Sequence, residues 1–146
     1  MTGRSCEPKS DVTKSAREPA ERPRRASGCP VLIVEDDADL REMMAQLLHL
    51  EGFNSQTVAN GREALEYLHD ADPPELILLD LMMPIMDGWE FRREQQRDPN
   101  LADVPVIVLS ALDPARVGDM EPAAFLKKPL DFDRLLELVR QYCRER

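Results

Sequence analysis

The stretch that decides the fold is LILLDLMMPIMDG, residues 76–88. Four consecutive apolar residues that end on Asp80, followed by a proline and an Asp-Gly pair, indicate a buried strand that stops at an acid. In open parallel sheets, ligands bind beyond the carboxyl ends of the strands. Asp80 is therefore the first candidate for a functional residue.

Short apolar segments alternate with helix-like segments on both sides of this stretch. Each strand is separated from the next by a segment with the spacing of an amphipathic helix, a pattern that gives βαβ units and a parallel sheet covered on both faces. The sequence therefore predicts a five-stranded, doubly wound α/β domain. The predicted strands are residues 31–34, 56–59, 76–79, 104–109 and 124–127.

Polar residues mark where the predicted helices begin and end. Asp39 is predicted to cap a helix that runs to about Leu50, and Gly52 ends it. Asp131 is predicted to cap the last helix. Two further helices are predicted over residues 62–69 and 88–97.

Composition restricts the class of protein. A chain of 146 residues, 42% hydrophobic and 32% charged, is typical of one globular domain, and no apolar stretch approaches the roughly 20 residues of a membrane span. The three cysteines, Cys6, Cys29 and Cys143, are odd in number and far apart. This argues against a disulfide framework or a zinc site, so we expect reduced thiols in the cytoplasm.

Charge is distributed unevenly along the chain. Residues 1–30 hold seven Lys and Arg against four Asp and Glu, together with four prolines, whereas the remainder holds 12 against 24. The first segment is predicted to be a disordered, basic tail, and residues 31–146 to be the folded domain. An acidic body is a poor candidate for direct binding of nucleic acid.

The ends of the first, third, fourth and fifth strands share one rim in such a sheet. That rim would bring together Glu35, Asp36, Asp80, Ser110 and Lys128. Clustered carboxylates repel one another unless a divalent cation lies among them, and oxygen ligands without His or Cys favour Mg²⁺, with Mn²⁺ as a second possibility. Asp80 is then the natural nucleophile toward phosphorus, because a carboxylate that attacks a phosphoryl group forms an acyl phosphate.

Four segments, VLIVEDD, LILLDLMMPIMDG, VIVLSA and FLKKP, resemble the receiver domain of bacterial two-component response regulators. The resemblance covers residues 31–143, with the segments in the family's order. It implies a flavodoxin-like sheet with strand order 2-1-3-4-5, and a stand-alone protein similar to the chemotaxis receivers.

The resemblance also implies a role for each site residue. Asp80 would be the phosphoacceptor, and Mg²⁺ would be held by Glu35, Asp36, Asp80 and the backbone carbonyl of Met82. Lys128 would contact the phosphoryl group, and Ser110 and Phe125 would occupy the two switch positions. The peptide bond before Pro129 would be cis.

Two departures from the family pattern concern the output and the lifetime of the phosphoryl group. Only 14 residues separate Ser110 from Phe125, and they include Pro114, Pro122 and Gly118, so the family's fourth helix is expected to be short or irregular. Met82 and Leu112 occupy the two variable positions that control water access in the family. Because both are apolar, we expect slow self-dephosphorylation.

The leading hypothesis is a single-domain response regulator that is not an enzyme in the usual sense. It would accept its phosphoryl group from a sensor histidine kinase or a histidine phosphotransfer protein, and control an unknown downstream partner as a monomer or weak dimer. A phosphate sink without an effector is one alternative. A magnesium-dependent phosphatase of the haloacid-dehalogenase type is another, although that chemistry wants an aspartate where this chain has Met82. A degenerate receiver that binds partners without phosphorylation is disfavoured by the complete acidic set.

Overall fold

The computed structural model describes residues 29–118 and 120–144, and its centre is a parallel sheet of five strands. The strands lie in the order β2-β1-β3-β4-β5, which confirms the predicted topology. The strands are β1 (Pro30–Val34), β2 (Asn54–Val58), β3 (Leu76–Asp80), β4 (Val106–Ser110) and β5 (Ala124–Lys127). The helices are α1 (Ala38–Leu50), α2 (Gly61–Asp70), α3 (Gly88–Arg97) and α4 (Phe132–Arg144).

Two apolar cores, one on each face of the sheet, explain why the central strands are apolar throughout. Alternate side chains of a strand point to opposite faces, so β1, β3 and β4 feed both cores. Residues of α2 and α3 cover one face, and residues of α1 and α4 cover the other. The edge strand β2 is mostly exposed, which accounts for its weak apolar signal.

The connection between β4 and β5 contains no α-helix among the residues described. Its regular structure is a single 3₁₀ turn, Pro114–Arg116, which confirms the expected shortening of the family's fourth helix. Proline begins this turn, and Gly118 follows with a φ of 86° that favours glycine. The helix labelled α4 here is therefore the last helix of the domain.

Side-chain caps fix the starts of α1 and α4. The carboxylate of Asp37 accepts hydrogen bonds from the backbone N–H groups of Asp39 and Leu40, so the prediction of Asp39 as the cap of α1 was wrong by two residues. Asp37 has the extended backbone geometry that a cap residue requires, whereas Asp39 lies inside the helix. The carboxylate of Asp131 accepts hydrogen bonds from the backbone N–H groups of Asp133 and Arg134 in the first turn of α4, as predicted.

A disulfide joins Cys29, just before β1, to Cys143 in the last turn of α4. The expectation that the cysteines are unpaired was therefore wrong for these two residues. They are 114 positions apart in sequence, yet their Cα atoms are 6.0 Å apart, within the range that a disulfide spans. Sequence spacing alone does not reveal that the start of the first strand and the end of the last helix are neighbours.

The predicted disordered tail lies outside the described residues, except for Cys29 and for Pro30, which begins β1. Among the described helices, none is both long and apolar enough to cross a membrane.

Reducing the Cys29–Cys143 disulfide is expected to lower the free energy of unfolding by about 4 kcal/mol. The bond closes a loop of more than a hundred residues, and opening it restores conformational entropy to the unfolded chain. Urea unfolding with and without dithiothreitol measures the difference. A Cys29→Ser/Cys143→Ser variant is the control, and should match the reduced protein in both buffers. Equal stability of the wild type in the two buffers would contradict the expectation.

Candidate functional site

The register of the parallel sheet brings the predicted site residues to one edge. Val34 of β1 lies beside Leu79 of β3, and Ser110 of β4 lies beside Lys127 of β5. Asp80 ends β3, which lies between β1 and β4, and it pairs with Leu109 of β4. The residues that end or follow these strands are therefore neighbours in space although far apart in sequence.

Three carboxylates meet at this edge. Oxygen atoms of Glu35, Asp36 and Asp80 all lie within 4.8 Å of one another. Glu35 and Asp80 are buried, whereas Asp36 is open to solvent. Lys128 lies among them, with its Nζ 2.9 Å from Glu35 Oε1 and 3.4 Å from Asp80 Oδ1. The ammonium group of Lys128 thus pairs with the two buried acids of the three.

This crowding changes the proton affinity of both Asp80 and Lys128. Burial, the charge of Glu35 and hydrogen bonding with Asp36 raise the pKa of Asp80 from 3.8 to about 7, against the opposing effect of Lys128. Burial alone would lower the pKa of Lys128, but its hydrogen bond to Glu35 and the charges of Asp80 and Glu35 raise it overall. Both shifts follow from negative charge that is held away from water.

The donor set fits a hard divalent cation. The described acidic cluster consists of carboxylate oxygens alone, which Mg²⁺ and Mn²⁺ prefer. A cation among them would reduce the repulsion between Glu35 and Asp80, which adds to the effect of burial on the pKa of Asp80. Met82 follows in the same loop, and its backbone N–H lies 3.4 Å from Asp80 Oδ1.

The loop between β1 and α1 is fixed by bonds to its backbone. The N–H of Glu35 donates to the carbonyl of Val58, and Asp37 N–H donates to Glu35 Oε2. Arg41 Nη1 donates to the carbonyl of Glu35 at 2.8 Å. Sequence reasoning missed Arg41, because nothing in a helix-start arginine shows that it turns back to the preceding strand end.

The loop between β3 and α3 brings the start of α3 against the strand end. Gly88 N–H donates to Leu81 O at 2.9 Å, and a Cβ at Gly88 would lie 2.7 Å from the carbonyl oxygen of Asp80. Only glycine allows this approach. The turn before it is strained, since Ile85 has a φ of 70° and lies between Pro84 O and Met86 N, which are hydrogen-bonded at 2.7 Å.

The remaining predicted residues lie on β4 and β5 or directly after them. Ser110 is buried, and its Oγ accepts a hydrogen bond from the N–H of Leu112 at 3.0 Å. Its carbonyl accepts from the N–H of Lys128 at 2.8 Å. Phe125 is partly buried against the core on the α2 and α3 face. The peptide bond between Lys128 and Pro129 is cis.

Residues 31–140 match the family model of the response regulator receiver domain. Among curated proteins, the chain is 35% identical over 145 residues to the alkaline phosphatase synthesis transcriptional regulatory protein SphR of Synechococcus elongatus, covering 91% of this chain and 52% of SphR. The chain spans about half the length of most curated relatives that it matches.

Solved structures show the same fold. The signal receiver domain of a histidine kinase from Syntrophus aciditrophicus aligns with a TM-score of 0.75 and 33% identity, covering 81% of this chain and 92% of that one. The receiver domain of a sensor histidine kinase from Pseudomonas aeruginosa PAO1 aligns with a TM-score of 0.70 and 27% identity, covering 80% and 98%. That domain has a magnesium ion coordinated in its active site cleft.

In the absence of divalent cations, Asp80→Asn is expected to stabilise the protein by about 2 kcal/mol at about pH 8. A raised pKa means that the folded state holds the proton of Asp80 more tightly than the unfolded state does. Stability of the wild type therefore falls as the pH rises from about 4 to about 7, whereas an amide has no proton to lose. Urea unfolding in EDTA at several pH values measures this difference.

Asp103→Asn is the matched control for this experiment. Asp103 is an exposed carboxylate just before β4, at the amino ends of the strands, whereas Asp80 lies at their carboxyl ends. It should change stability little at any pH. A variant Asp80→Asn that is no more stable than the wild type at about pH 8 would contradict the expectation.

Proposed function

The chain belongs to the response regulator receiver domain family, and on that premise we propose that it accepts a phosphoryl group on Asp80. Receiver domains are signalling modules and interact with histidine kinases or histidine phosphotransfer proteins, so we propose one of these as the donor. The single observation that carries the proposal is the arrangement of Asp80, with Lys128 on one side and two further carboxylates within 4.8 Å.

The chemistry follows from these positions. An oxygen of the Asp80 carboxylate attacks phosphorus in line with the nitrogen of the donor histidine, so the N–P bond breaks as the O–P bond of the acyl phosphate forms. Lys128, already 3.4 Å from Asp80 Oδ1, neutralises charge on the phosphoryl oxygens. Glu35, Asp36 and the carbonyl of Met82, together with Asp80, would hold Mg²⁺. The bound ion would neutralise the phosphoryl oxygens and keep Asp80 ionised.

The neighbouring groups supply the response. Phosphorylation adds a charge of about −1.5 to −2 and three acceptor oxygens. The hydroxyl of Ser110, which now accepts from Leu112 N–H, would turn to donate to one of these oxygens. Phe125, only partly buried, would then repack against the core. Such a rearrangement shifts the population between two packings and thereby changes which partner binds.

The phosphorylated domain would act through a partner protein. We propose that phosphorylation of the domain controls the binding of a partner protein, in keeping with the acidic character of residues 31–146. The alternative is a phosphate sink, which would take the phosphoryl group from its donor without controlling any partner. A partner that binds more tightly to the protein carrying beryllofluoride, a mimic of the acyl phosphate, would favour the regulator.

Incubation with acetyl phosphate and Mg²⁺ is expected to add the mass of one phosphoryl group. Asp80→Asn and the addition of EDTA should each abolish the gain, because the first removes the nucleophile and the second removes the cation. Intact-protein mass spectrometry under neutral conditions measures it. The control Asp103→Asn should behave as the wild type. No gain in the wild type, or a gain that survives in Asp80→Asn, would contradict the assignment.

Met82→Asn is expected to shorten the lifetime of the acyl phosphate several-fold. The Met82 side chain is 59% exposed beside Asp80, and an amide there could orient a water molecule that a thioether cannot. Loss of the phosphoryl mass over time measures the lifetime. Met43→Asn is the matched control, since Met43 is 52% exposed but lies on α1. An unchanged decay rate in Met82→Asn would show that this position does not limit water access.

A further inference from the structure

Three backbone carbonyls of the β4–β5 connection, residues 111–118 and 120–123, are bound by side chains of α3. Trp89 Nε1 donates to Val117 O at 2.8 Å. Arg92 Nε donates to Met120 O and Arg92 Nη2 donates to Glu121 O, each at 2.9 Å. The guanidinium group is buried, so these are charge-assisted bonds with little competition from water.

The same guanidinium group ties the connection to the beginning of β4. Arg92 Nη1 donates to Gln95 Oε1 at 2.7 Å, and Gln95 is fully buried. Gln95 Nε2 in turn donates to Leu101 O and Val104 O, just before β4. Helix α3 therefore binds the chain on both sides of β4, the strand that ends at Ser110.

Apolar contacts reinforce these hydrogen bonds. Val117 and Met120 are each 4% exposed and belong to the core that Phe91 of α3 shares. The connection lacks an α-helix among its described residues, yet two buried side chains and three bonded carbonyls anchor it. It is a packed element whose position depends on α3.

Helix α3 also contacts the strand that ends at Asp80, through its N-terminal residue. The first residue of α3, Gly88, lies against the carbonyl of Asp80. The connection begins directly after Ser110, whose hydroxyl holds Leu112 N–H. If that hydroxyl turns toward a phosphoryl group, Leu112 loses its acceptor and the connection must readjust against α3.

We propose that Trp89 and Arg92 are positioning residues that hold the β4–β5 connection on α3 and link its position to the state of Asp80. The signal then leaves the domain at the junction of α3 and the connection. The link to Asp80 rests on the proposed function, whereas the holding role does not.

Hydrogen exchange of the unmodified protein tests the holding role. Arg92→Lys keeps the charge but loses the fork that reaches two carbonyls, so amides of Arg116 and Val117 should exchange about tenfold faster. Arg93→Lys is the matched control, because Arg93 is the exposed neighbour on the same helix, and it should exchange as the wild type. Unchanged exchange in Arg92→Lys would overturn the holding role.

Fluorescence of Trp89, the chain's single tryptophan, tests the link. Acetyl phosphate and Mg²⁺ should shift its emission in the wild type and in Arg93→Lys as the indole N–H bond to Val117 changes. The shift should shrink in Arg92→Lys at equal phosphorylation. The intact mass of the same samples shows whether the protein was phosphorylated, so a missing shift can be assigned to a failed link or to failed phosphorylation. A phosphorylated wild type with an unshifted spectrum would overturn the link alone, and an unphosphorylated one would overturn the proposed function and the link with it.

Discussion

The imbalance of charge at the carboxyl edge of the sheet is the constraint on which the site depends. Glu35 and Asp80 are buried beside Asp36, and the ammonium group of Lys128 is paired with Glu35 and Asp80. Burial, and after it the charge of Glu35, raises the pKa of Asp80. The fold thus stores an electrostatic cost at one point, and either a proton or a cation relieves it. The proposed reactivity of Asp80 toward phosphorus and the proposed binding of Mg²⁺ both follow from this cost.

Holding such a cluster together requires a rigid frame, and the surrounding backbone supplies it. Parallel register places the strand ends side by side. Arg41 secures the carbonyl of Glu35, and Gly88 lets α3 approach Asp80 more closely than any side chain would permit. Repelling groups would otherwise move apart, so the precision of the site comes from main-chain contacts more than from the acids themselves.

Sequence predicted what depends on local patterns and strand order, and it failed where distant segments meet. The run that ends on Asp80 predicted the buried strand, and the strand-end acids lie together as expected, because parallel topology gathers such positions. The cap of α1 was displaced from Asp39 to Asp37, since neighbouring acids have equal propensity and backbone geometry decides between them. The Cys29–Cys143 bond and the role of Arg92 depend on contacts across the finished fold, which no spacing encodes.

The disulfide also determines how the domain responds to force. The bond between Cys29 and Cys143 closes the chain between them into one covalent loop, which contains the whole sheet and nearly all of the four described helices. Tension applied to the chain on either side passes from one sulfur to the other, and the hydrogen bonds between β1 and its neighbours carry none of it. With the bond reduced, the same pull would peel the end of α4 and the start of β1 from the core. With the disulfide formed, tension in the flanking chain therefore does not load the fold between the two cysteines.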